Sequence, residues 1–282
     1  MATESQPTIF RFPVELAQDI LSFCHPWDVA AFSQTCRAAY SLIYQPADQY
    51  LWHQLYIAYS FDPPQFPDLA CANGKINWKN ELTDRMRVEL ALFCGPPNVS
   101  ERQHVLRMLI TIIEDSSSAV SRTGSSRNIG WLKRVMRQSL VLHNLYSDPE
   151  VEDDVQLHAQ LRAYLALTII DSKHDKKTLA KLLDRRDLSR AFVYNLLHYE
   201  EENRWGPFMP DGRVNWIHVE HLVVVVALNI RELPGSWALT RPPTCLDSPR
   251  LSSRTFGKDP SNDWAGVEGT WRRYVCFMDY RY

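Results

Sequence analysis

Two adjoining apolar stripes open the chain. Between Phe12 and Cys24 the sequence FPVELAQDILSFC places Leu16, Ile20 and Phe23 on one helical stripe and Ala17, Leu21 and Cys24 on the next. Pro13 suits the first turn of such a helix, because its missing N–H would have had no intrahelical partner. A second helix is predicted from Pro26 and Asp28 through Val29, Ala30 and Phe32, and a third from Cys36 to Ile43, with Ser33 or Thr35 offering its cap. After Pro46 the segment YLWHQLYIAY adds Leu51, Trp52, Leu55 and Tyr56. Helices this short, each apolar over a wide arc, carry more apolar surface than they can hide among themselves. Either the rest of the chain covers that surface or another protein does.

Phe61 to Gly74 contains Pro63, Pro64 and Pro67 and ends in Asn73-Gly74, so residues 61–76 are expected to be a linker. A helix follows, capped by Asn77, with Trp78, Leu82, Met86, Leu90 and Phe93 as its apolar stripe and Arg85 and Arg87 on its wet side. Ser100 and Gln103 form a capping-box pattern for a helix carrying Val105, Leu106, Leu109, Ile110 and Ile113, which stops before a Ser-rich loop at 116–127. Trp131, Leu132, Val135, Met136, Leu140 and Leu142 predict another helix, and Asp148-Pro149 opens a long one through Leu157, Leu161, Leu165 and Ile169. Residues 190–194 read as strand or helix. Trp205 to Phe208 and Asp211-Gly212 are turns, and from Trp216 the spacing of Val219, Val223, Val226 and Ile230 predicts a buried helix. The fold class is therefore mainly α: an amino-terminal helical module at 8–60, the linker at 61–76 and a larger helical domain at 77–282. Near the end, Tyr274 to Met278 is expected to add a small, incomplete β element within 263–282.

Charge narrows the function classes. With 31 Lys+Arg against 33 Asp+Glu and a pI near 6.5, no global basic field is available for nucleic acid or an anionic membrane. The basic run from Lys173 to Arg190 is interleaved with Asp175, Asp184 and Asp187, as a solvated helix face would be. The longest unbroken apolar run, Leu222 to Leu228, falls far short of a membrane span. None of the six cysteines stands in a Cys-x-x-Cys pair, so they read as reduced, with the cytoplasm or nucleus as the expected compartment. The acidic group Glu150, Glu152, Asp153 and Asp154 fits the first turn of a helix, where carboxylates complement the dipole, rather than a metal site. His218 and His221 have no third ligand motif and read as core histidines. No nucleophile elbow, P-loop or zinc-protease motif occurs, so neither catalytic residues nor a cofactor is expected. A protein is the expected partner, and Trp205, Phe208, Trp264 and Trp271 are candidates for a target surface, although core packing competes for all four.

Phe12-Pro13-x-Glu15-Leu16, Ile20-Leu21-Ser22-Phe23, Pro26-x-Asp28-Val29, Phe32-Ser33-Gln34-Thr35-Cys36-Arg37, Tyr40 and Leu51-Trp52-x-x-Leu55 resemble, in order and spacing, the F-box of fungal proteins. Phe12, Cys24 and Val29 stand where that pattern commonly has leucine, and all three remain apolar. The resemblance implies a small helical bundle docking onto the S-phase-kinase-associated adaptor, which links it to a cullin scaffold. Carried over residue by residue, it implies adaptor contacts at Phe12, Pro13, Glu15, Leu16, Ile20, Leu21, Pro26, Val29, Phe32, Leu51 and Trp52. Trp78-Lys79-x-Glu81-Leu82, and Asp263-Trp264-Ala265-Gly266-Val267-Glu268-Gly269 with the following Trp271-Arg272-Arg273, resemble segments of the same group. In that group the second segment leads into a β-rich domain, so the resemblance implies a short or truncated member. The implied role is a non-catalytic substrate adaptor of a ubiquitin ligase, or else an adaptor-binding scaffold acting outside it.

Overall fold

Side-chain caps set where several of the helices begin. The computed structural model describes residues 8–46, 48–59, 61–62, 76–95, 98–116, 126–138, 152–166, 176–231, 235 and 246. After a 3-10 turn at Thr8–Arg11 come α1 (Val14–Ser22), α2 (Pro26–Ser33), α3 (Arg37–Tyr44), α4 (Tyr50–Ala58), α5 (Trp78–Cys94), α6 (Val99–Glu114), α7 (Arg127–Gln138), α8 (Glu152–Leu165), α9 (Lys176–Val193) and α10 (Trp216–Arg231). As expected, Asn77 caps α5: its side chain accepts from the Asn80 N–H at 3.1 Å. Elsewhere the caps shift. Cys36 itself caps α3, its Sγ accepting from the Ala39 N–H at 3.4 Å, because the Ser33 and Thr35 hydroxyls donate back to the carbonyls of Ala30 and Phe32. Asn98, not Ser100, caps α6 by accepting from the Glu101 N–H at 2.8 Å.

The chain divides into two units, one holding α1–α7 and the other α8–α10. In the first, α1 packs on α3 and α4, α4 on α5, and α5 on α6 and α7. Phe61 and Asp62, at the expected start of the linker, join these layers. Phe61 is fully buried, its ring centroid 5.2 Å from Tyr56, 5.4 Å from Tyr59 and 5.4 Å from Trp131. Asp62 caps α7: its carboxylate accepts from the N–H of Arg127 at 2.9 Å and of Asn128 at 3.4 Å, and from the Ser126 hydroxyl. Asn128 returns the contact, its side-chain oxygen accepting from the Asp62 N–H at 3.1 Å. The remainder of the expected linker, residues 63–75, lies outside the described residues.

Arg85 corrects the reading of α5. Expected on the wet side, it is buried, ion-paired with Glu81, and lies over the rings of Tyr56 at 5.0 Å and Phe61 at 5.3 Å, while Leu90 from the expected stripe is exposed. A helix packed on both sides must bury more than one stripe, and aromatic faces attract a guanidinium laid over them. Burial, partly offset by Arg85, pushes the Tyr56 hydroxyl up to about 12.

In the second unit α10 packs on α8 and α9. Residues 190–193 continue α9. The helix predicted from Trp216 forms, but His218, Glu220, His221, Val224, Val225 and Leu228 face inward, while Val226 from the predicted stripe is exposed. Apolar side chains surround this helix, so its pattern could not fix which face turns in. Buried Glu220 orders the unit: Arg162 of α8 holds it with two bonds of 2.9 Å and Arg185 of α9 pairs with it. Arg185 thereby departs from the solvated face expected of the basic run. His221 bonds Ser189 at 3.0 Å and stacks on Phe192 at 4.3 Å, and His218 bonds the Tyr199 hydroxyl at 3.2 Å, so both are hydrogen-bonded core residues. The β element expected within 263–282, residues 117–125 of the Ser-rich loop, the Asp148-Pro149 start, Leu140, Leu142 and Ile169 lie outside the described residues, while Arg127, expected in that loop, begins α7.

Two outcomes follow for stability. Asp62→Ala should cost about 1–2 kcal/mol as a lost cap, and Phe61→Ala about 3–5 kcal/mol as a core cavity, both read from denaturant midpoints. A change below 0.5 kcal/mol at both would contradict the joint described. Burial, then the charges of Arg185 and Arg162, hold His221 down to about 4. Its contribution is complete above the ordinary histidine value near 6.5. As pH falls from there toward 4, the unfolded chain takes up a proton that the folded chain refuses, so stability declines across that window. His221→Gln should make the decline in melting temperature shallower, leaving the part due to His218, which burial also lowers. An unchanged slope would contradict this account.

Candidate functional site

Helix α1 separates its two stripes by environment. Ala17, Gln18, Leu21 and Ser22 turn inward, Leu21 being 5% exposed, and the Gln18 amide donates to the Leu42 carbonyl at 3.4 Å. The other stripe faces solvent: Leu16 is 53% exposed, Phe23 at the helix end 86%, and Ile20, Val14 and Phe12 about half. Trp27, in the first turn of α2, is also partly exposed. Leaving this many large apolar side chains in water costs roughly 1.5–3 kcal/mol for each that could be fully buried, and such a cluster marks an interaction surface.

Most of the residues inferred to contact an adaptor fall into two groups, with Phe32 and Trp52 between them. Phe12, Pro13, Glu15, Leu16 and Ile20 are exposed together at the start and along the outward face of α1. Leu21, Val29 and Leu51 are buried in the unit's own core, and Pro26 is buried at the first position of α2. They support the surface from beneath. Phe32 stacks on Phe10 at 6.1 Å. Trp52, half-buried, lies against Tyr44 at 5.5 Å, with the Lys79 ammonium 4.7 Å from the Tyr44 ring and 5.9 Å from its own. Phe23 and Trp27 were not among the inferred contacts, although the spacing of Phe23 from Leu16 and Ile20 already put it on the outward stripe.

An open groove of about 490 Å³ runs between the start of α2, with His25, Trp27 and Asp28, and the end of α5, with Leu90, Phe93 and Cys94. Glu89 also lines it. Its buried carboxylate accepts from the Tyr59 hydroxyl at 2.8 Å and from the Trp131 indole N–H at 2.9 Å, with Arg134 3.8 Å away. Burial and the bond to Glu89 push the Tyr59 hydroxyl up to about 12. This network ties the end of α4 to α5 and α7. Both carboxylate oxygens thereby accept hydrogen bonds. Among the described residues no group of three or more His, Cys, Asp or Glu side chains is placed to hold a metal ion. No described helix is long and apolar enough to cross a membrane. In the second unit Trp205 is exposed and Phe208 borders on exposure, whereas Trp264 and Trp271 lie outside the described residues.

Residues 9–58 match the F-box-like family model, so this segment carries an F-box-like domain. No curated protein and no solved structure matches the chain. The matched segment spans the first 3-10 turn and α1–α4, and thus contains the whole outward face of α1.

The division of α1 into a wet and a dry stripe has a direct test. Ile20→Glu should leave stability within about 0.5 kcal/mol of the parent chain, as surface substitutions do. Leu21→Glu, one position on, should cost about 3 kcal/mol or more by placing an unpaired charge in the core. Equal effects of the two on the denaturation midpoint would contradict the assignment.

Proposed function

We propose that this chain is a substrate-recognition subunit of an SCF-type, cullin-based ubiquitin ligase. Its F-box-like domain binds the S-phase-kinase-associated adaptor, and through it a cullin scaffold. The observation that carries this reading is the outward face of α1, a run of half-exposed apolar side chains inside the segment that matches the F-box-like model. Buried apolar anchors dominate protein interfaces, and this face supplies Phe12, Leu16, Ile20 and Phe23 as anchors from a rigid helix. The second unit takes the target protein. The chain itself is non-catalytic in this reading: it contributes proximity, raising the effective concentration of a bound target near a charged conjugating enzyme. Such a complex works in the cytoplasm or nucleus.

The test uses the full chain, because Tyr56 of α4 shares its core with Phe61 and Trp131 outside the matched segment. Leu16→Asp/Ile20→Asp should weaken adaptor binding by about 2 kcal/mol or more, roughly thirty-fold, with the melting temperature preserved. Undiminished binding by the folded variant, or no binding by the parent chain, would overturn the reading. Binding of adaptor without recruitment of cullin would favour a scaffold role outside the ligase.

A further inference from the structure

The second unit carries an exposed apolar cluster that its helices do not absorb. Between the end of α9 and the start of α10, Leu196 is 81% exposed, Leu197 is nearly as open, and Trp205 is 68% exposed, with Tyr194, Phe208 and Val214 partly so. Isolated surface leucines need no explanation, but a segment this short with so many is an interface in waiting.

The segment is also held in one conformation. The Asn195 side chain accepts from the Leu197 N–H at 3.1 Å. The side chain of Asn203 accepts from the Glu200 N–H at 3.0 Å and donates to the His198 carbonyl at 2.6 Å. The Trp205 N–H donates to the Glu200 carbonyl at 3.0 Å, and a backbone bridge joins Phe208 to Val214. The His198 ring stacks on Phe192 at 3.9 Å, fastening the turn to α9. Arg204 and Trp205 both have φ of 56°, a left-handed conformation uncommon for a bulky residue, and the cross-links fix Trp205 there. Apolar anchors presented without conformational freedom lose little entropy on binding.

Charge selects the occupant. Glu200, Glu201 and Glu202 are exposed in the middle of the segment against a single unpaired arginine, Arg204, while Asp211 and Arg213 pair with each other at 2.6 Å. The turn therefore presents apolar anchors under a net negative field. We infer that the 194–214 turn is a docking surface for a protein segment in which apolar side chains are flanked by lysine or arginine. This inference takes the target-binding role of the second unit from the function proposed above and names the chemistry of the target segment.

The full chain, immobilised, would select from a displayed library of random peptides, with Leu196→Asp/Trp205→Ala selected in parallel. The expected result is enrichment of peptides that pair large apolar residues with Lys or Arg. Their binding should drop at least tenfold in the variant and should weaken as salt is raised. Glu201→Lys/Glu202→Lys should shift the enriched set toward acidic peptides. No enrichment, enrichment that is equal in the variant, or acidic peptides enriched by the parent chain would overturn the inference. Adaptor binding measured on the same preparations separates the two readings: retained adaptor binding with no peptide enrichment sinks only the docking surface, and the reverse result sinks only the ligase assignment. The melting temperature of each variant shows that it is folded.

Discussion

The first unit depends on the joint at Phe61 and Asp62. One residue fills the space between Tyr56, Tyr59 and Trp131, and the next caps α7 through its carboxylate. A cap alone contributes about a kcal/mol, but here it is coupled to a fully buried aromatic ring on the adjacent residue. Glu89 reinforces the tie, with Tyr59 and Trp131, which also flank Phe61, both bonded to it. The four helices of the F-box-like segment are thereby seated on α5–α7 and do not form a bundle closed on itself. With α4 fixed from behind, α1 packs against α3 and α4 by the stripe containing Ala17 and Leu21, and the stripe containing Leu16 and Ile20 stays exposed.

The second unit is organised by a different interaction. Glu220 is buried and satisfied by guanidinium groups from two other helices, so the three helices meet at a charge that only their joint arrangement neutralises. Removing either partner would leave part of that charge exposed to a low-dielectric interior, which is far more costly than the ion pair is stabilising. Such a centre specifies which faces of α8, α9 and α10 come together. It leaves the turn after α9 free to present apolar side chains outward.

Much of this was legible in the sequence. Helices were readable wherever apolar residues recurred at the helical period, and Asn77 announced itself as a cap by type and position. The two stripes of α1 were separable by spacing alone, but which of them faces water was not, since Leu16 and Leu21 are chemically identical. Only the neighbours decide, and those lie in α3 and α4. The same ambiguity put the inward face of α10 out of phase, because valines surround that helix. It also hid the burial of Arg85, whose charge pointed to solvent until Tyr56 and Phe61 offered it their rings. Phe61 and Asp62 read as linker because prolines follow them, and the partners that give them their role, Ser126 to Trp131, stand far along the chain. Local pattern thus gave elements, whereas the choice of face and the joints between elements required contacts distant in sequence.

The adaptor contact proposed for the outward face of α1 has a direct test. Hydroxyl-radical footprinting of the full chain, alone and with saturating adaptor, reads the solvent access of each side chain directly. Strong protection is expected at Phe12, Leu16, Ile20 and Phe23, with little change at Leu196 or Trp205. Unchanged oxidation along α1 in the presence of bound adaptor would contradict it.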